Sequence, residues 1–185
     1  LSSAMVGQDK QELHRLQDGI GQTLGSLAAI GVEAERERAA HLSSGADTGP
    51  LLRTVLRLRH DMVAIGRANV TPLPRELQDR MAAPLAAVQQ AMSAHLVNSA
   101  AALRQRKPGS DAEPVRKALD DYARAVSSVR EEGLTRGLQG DVTERFFALG
   151  FSLEQMRQNL RDLQRCLAEW TGETKPKPKQ VPSPH

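Results

Sequence analysis

The stretch Asp141–Trp170, DVTERFFALGFSLEQMRQNLRDLQRCLAEW, decides the fold. Within it Val142, Phe146, Leu149, Leu153, Met156, Leu160, Leu163, Leu167 and Trp170 recur at alternating spacings of four and three. That spacing puts every one of them on a single stripe of an α-helix; a strand would scatter them over two faces. The seam lasts about four heptads, a rod of about 43 Å at a rise of ~1.5 Å per residue. Such a rod is either a long bundle helix packed on its own chain or a coiled-coil contact between chains. Asp141 followed by Glu144 has the form of a capping box at its start.

Working outward, four further helices are expected. Val115, Leu119, Tyr122, Val126 and Val129 mark a helix over about 112 to 132, with Asp111 as its N-cap after the turn Lys107-Pro108-Gly109-Ser110. Gly133, Gly137 and Gly140 punctuate the next loop. A third helix spans about 74 to 106, and Pro84 inside it either kinks it or sets its true start near 82. A second helix runs from Pro50 to about Ala68, capped by Asp47 or Thr48 and stopped by Thr71-Pro72-Leu73-Pro74. The first covers about 8 to 43, with Leu13, Leu16, Ile20, Leu24 and Leu27 on one stripe. Gly19, Gly21 and Gly25 weaken it and imply close helix contact or a bend. The fold class is therefore all-α, an antiparallel bundle of about five helices over residues 1–170. The Lys- and Pro-rich tail, 171–185, is expected to be disordered because it can neither bury a core nor continue a helix.

Composition agrees. Aromatics are only 3% and strand-forming runs are missing, which suits helix packing. A net charge of +3 is too small to point to nucleic acid. The lone Cys166 excludes an internal disulfide and a cysteine zinc site. The longest apolar run, Leu24 to Val32, contains Gly25, Ser26 and Gly31 and falls far short of the ~18 residues of a membrane span. There is no signal-peptide pattern. The chain starts at Leu1, which reads as a piece of a longer protein, so a span upstream is compatible with it.

The second helix carries the candidate site. Leu51, Val55, Leu58, Met62 and Ile65 form its apolar stripe, while Arg53, Arg57, His60 and Arg67 fall opposite. Asp61 stands four residues from Arg57, the spacing of a helical ion pair. The basic face is either solvated, or paired with acids such as Glu131, Glu132, Asp120 and Asp121, or an anion site. Arginine forks suit carboxylates and His60 adds a donor. Anionic lipid headgroups are a third use, if the domain hangs below a membrane.

Other chemistry finds little support. His60-Asp61 resembles a phospho-accepting histidine, but the lysine and glycine pattern of a phosphotransfer domain does not follow it. Glu154, Asn159 and Asp162 could ligate a metal, yet no histidine stands three or four residues from either acid. Asn159 reads instead as a hydrogen-bonding residue that fixes helix register, and Cys166 as buried filler near the seam. No nucleophile motif, phosphate loop or zinc signature appears. The expectation is a protein that is not an enzyme and takes no cofactor or metal.

Two dense segments, Arg57-Leu58-Arg59-His60-Asp61-Met62-Val63-Ala64-Ile65-Gly66-Arg67-Ala68 with Pro72-Leu73-Pro74, and Phe146 to Leu163, add a family likeness. With Arg130-Glu131-Glu132-Gly133-Leu134 they resemble the soluble domain of bacterial inner-membrane proteins of the fusaric acid resistance (FUSC) family. The likeness covers most of residues 10 to 170 and is one of pattern. It implies the cytoplasmic helical part of an efflux transporter for aromatic carboxylic acids, with transmembrane segments upstream in the same parent chain. It also implies a homo-oligomer and an aromatic acid as ligand. The domain would act in assembly, gating or substrate access. The alternative is a free-standing helical module for protein interaction or signalling.

Overall fold

The Asp141–Trp170 seam lies inside the molecule. Phe146, Leu149, Leu153, Met156, Leu160, Leu163 and Leu167 are all buried, Leu167 completely. Each such side chain contributes roughly 1.5–3 kcal/mol on leaving water, which makes this helix the spine of the core. The bundle use is the one the structure shows: three other helices of the same chain pack on this one.

The structure is a computed structural model and describes residues 2–40, 47–68, 73–107 and 109–171, with side chains for Glu12 and from Arg15 onward. Five helices follow in order: α1 Ser2–Ala39, α2 Gly49–Ala68, α3 Arg75–Gln105, α4 Glu113–Glu131 and α5 Gly140–Thr171. The described residues contain no strand. The expected tail lies outside the described residues beyond Thr171.

The helices pair in two main couples, α2 with α5 and α3 with α4. Both couples are antiparallel. Thr54, Arg57 and Asp61 of α2 meet Cys166, Asp162 and Asn159 of α5 in that reversed order. In the other couple Arg80 reaches Glu132 just past α4, while His95 reaches Ser110 just before it. α4 also packs on α5, with Arg157 3.6 Å from Asp120. The core is one cluster built from α2, α3, α4 and α5. α1 makes backbone contact with α2 alone.

Several ends differ from the sequence expectation. α3 runs unbroken through Pro84 from Arg75, so the later start near 82 is not taken. α1 is likewise continuous through Gly19, Gly21 and Gly25. Only Gly21 among these meets another helix, with the Arg59 guanidinium 3.4 Å from where a Cβ would stand. α1 also ends at Ala39 instead of 43. Asp47 and Asp111 each accept a helix's first amide, from Gly49 at 2.8 Å and Glu113 at 2.9 Å, from just outside the helix. The Gly49 amide is the main reason the Asp47 carboxyl sits below its ordinary range. The capping box at Asp141 does not form. α5 starts one residue earlier, so Asp141 lies within the first turn and pairs with Arg145 at 3.1 Å. Gly133 closes α4 in the left-handed region at φ 77°, which lets the Leu134 amide bond back to the Val129 carbonyl at 3.1 Å.

His95 is a buried titratable group of the α3–α4 hairpin, 3% exposed, with Nδ1 3.1 Å from the Ser110 hydroxyl and Nε2 unpartnered. Burial lowers its pKa from the ordinary histidine value, against a smaller opposing effect of Asp111. The unfolded chain therefore binds the proton more readily, so stability is full above about pH 6.5 and falls as the pH drops below it. Melting temperature should decline on acidification from pH 7 to pH 5, and His95→Gln should flatten that slope. An equal slope in both proteins would refute this role.

Candidate functional site

The basic face of α2 is present, but its residues are not gathered. Arg53, His60 and Arg67 all point to solvent. Arg53 stands near the N-terminal end of α2, where its charge contributes to lowering the pKa of Asp47. Arg67 occupies the last turn, about 21 Å away along the axis, where a cation complements the helix dipole. Only Arg57 and His60 line one depression, of about 490 Å³, together with Leu56, Asp61, Gln155 and Asn159.

Within that depression Arg57 is already engaged. Its guanidinium donates to Asp162 of α5 at 2.8 Å and to the Thr54 hydroxyl at 3.1 Å. The expected helical pair with Asp61 does not form. Asp61 turns inward, is 6% exposed, and accepts a 2.6 Å hydrogen bond from the Asn159 amide. Three of the four acids proposed as partners are engaged elsewhere: Asp120 with Arg116 and Arg157, Asp121 with Arg124, Glu132 with Arg80. Asp162 in turn holds Arg165 at 2.5 Å as well as Arg57.

Asn159 makes a buried hydrogen bond between helices, as the sequence suggested. Around it Thr54, Arg57, Asp61, Asp162 and Cys166 make a polar ladder between α2 and α5. Cys166 is half-buried, with Sγ 3.9 Å from the Thr54 hydroxyl. The signal for this ladder was one asparagine inside a leucine seam; its α2 half could not be seen without knowing which helix faces α5. Because Arg57 is half-exposed, Arg57→Ala should cost no more than about 1 kcal/mol. Arg67→Ala should leave stability unchanged within error. Urea denaturation of both variants checks the contrast.

Glu154 and Asp162 serve Arg157 and Arg57 and lie on different sides of α5. Among the described residues no three His, Cys, Asp or Glu side chains come together as a metal site. No helix among them is long and apolar enough to cross a membrane.

The larger concavity lies elsewhere. A cavity of about 640 Å³ opens between α2 and α3 over α5, lined by Met62, Ile65, Val88, Met92, Leu153 and Met156 among others. Sequence reasoning had placed Met62 on the core stripe; it is 39% exposed because no helix covers this side. No family model, curated protein or solved structure matches the chain.

Proposed function

We propose that this chain is the helical domain of an FUSC-like inner-membrane efflux transporter for aromatic carboxylic acids, on the cytoplasmic side. It acts there in assembly, gating or substrate access. One observation carries the reading. The two segments that bear the family likeness, Arg57–Ala68 and Phe146–Leu163, lie in the two helices that pair most extensively, joined by Arg57–Asp162 and Asp61–Asn159. A likeness concentrated in one packed pair is what a shared helical domain would retain. The exposed Arg53 and Arg67, with His60 as a further donor, give α2 an outer face suited to carboxylates or anionic headgroups, with Arg57 at its edge tied to α5.

Fractionation of the native, full-length gene product tests the reading. A product much longer than 185 residues in the membrane pellet supports it. A product of this length in the soluble fraction overturns it. The second reading, a free-standing interaction module, is favoured by the row of exposed apolar side chains along α1.

A further inference from the structure

α1 leaves a heptad seam in solvent. Leu16, Ile20, Thr23, Leu27, Ile30 and Ala34 follow one another at spacings of four and three. Leu16, Ile20, Leu27 and Ile30 are 60%, 38%, 42% and 64% exposed, whereas Leu24 beside them is 6% exposed. At about 100° per residue the seam is centred roughly a quarter-turn from the side that meets α2, marked by Gly21 against Arg59 and Gly31 against Leu52. The seam thus faces along the surface of the bundle.

It faces a trough. α2 and α3 come within 8 Å at no pair of Cα atoms. Two cavities lie along the gap between them. One is the 640 Å³ cavity already described; the other, of about 330 Å³, is lined by Leu27 and Ile30 of α1, Leu52 of α2, Leu103 and Arg104 of α3, and Trp170. Together they follow α3 from Leu85 to Arg104, about 28 Å of helix. One chain therefore holds an apolar trough of helical length and, on its rim, an uncovered helical seam.

We propose that α1 of a second copy covers this seam. Two chains pair antiparallel through their α1 seams, beside the rim of the trough. The seam is symmetric about Thr23: an antiparallel pair sets Leu16 against Ile30 and Ile20 against Leu27, as a two-fold contact requires. The small Thr23 then falls on the axis, where the helices approach most closely. Charge agrees. α1 runs opposite to α2, so an antiparallel partner brings its exposed Glu12 to the end of the trough where Arg104 stands. A small ligand would suit either cavity, but it would not account for the four-three spacing on α1. The pairing stands whether or not the parent chain is a membrane protein.

Sedimentation equilibrium of the chain at micromolar concentrations should return twice the monomer mass. Ile20→Lys combined with Leu27→Lys changes two solvent-facing side chains, so the helical circular dichroism should persist while the dissociation constant rises more than about tenfold. Thr23→Cys in a Cys166→Ser background should form a disulfide-linked dimer under mild oxidation, and Val97→Cys, exposed on α3, should not. A wild-type chain that stays monomeric overturns the proposal. So does a dimer that survives the double lysine change, or one in which Thr23→Cys fails to cross-link.

Discussion

Replacing Asn159 by leucine is expected to destabilise the bundle by about 2–4 kcal/mol, although leucine is the more apolar residue in a leucine-rich helix. The reason is Asp61. Its carboxylate is buried and takes its 2.6 Å hydrogen bond from the Asn159 amide. Leucine removes the donor and leaves the carboxylate without it at a position only 6% exposed. Arg57 cannot substitute, because it is held by Asp162 and Thr54. The double change Asp61→Leu with Asn159→Leu removes both polar groups and should recover most of the loss. The cycle should therefore show a coupling above about 1 kcal/mol. Strictly additive free energies from urea unfolding would show that the pair is not a unit.

The second large effect is expected at Phe146. Its ring is 2% exposed and meets Phe147 edge-on at 5.4 Å between centroids. Phe146→Ala opens a cavity at the end of the α5 seam and should cost about 3–5 kcal/mol. Domains of this kind are stable by only about 5–15 kcal/mol, so this loss is a large share of the total. Phe151, one turn from Phe147 and 68% exposed, is the control: Phe151→Ala should stay within about 0.5 kcal/mol. The denaturation midpoint should drop for Phe146→Ala with little change in slope. Equal midpoints for the two variants would mean that Phe146 is not part of the core.

How far the sequence reached depends on which side of each helix is considered. α5 was legible because its seam repeats without interruption and its members from Phe146 to Leu167 are buried. α2 was legible as a helix, but its inward face was misjudged by a fraction of a turn. The expected stripe ran through Leu51, Val55, Leu58, Met62 and Ile65; the fully buried positions are Thr54, Leu58 and Asp61. An apolar stripe is a good guide when the opposing helix is apolar. Here α5 presents Asn159, Asp162 and Cys166, and polar side chains become buriable only against such partners. The same blindness sent Arg57 to Asp61, its neighbour on the helix, when the bond formed was with Asp162, 105 positions away. For α1 the stripe was visible but its lack of cover was not, since spacing reports which residues share a side and not what lies against it. Of the candidate site, the basic character of α2 was legible, and the separation of Arg53 and Arg67 from the Arg57–His60 depression was not.

The α2–α5 pairing also sets an order of assembly. Its polar contacts join residues 98 to 112 positions apart, whereas His95 and Ser110 at the α3–α4 turn are 15 apart. Loop closure grows costlier with the length enclosed, so the α3–α4 hairpin forms early and α2 closes onto α5 late. A contact made after the barrier changes the rate of leaving the native state and not the rate of reaching it. The Asp61–Asn159 bond is thus a brake on unfolding: its loss should steepen the escape from the folded state while refolding proceeds at nearly the original speed.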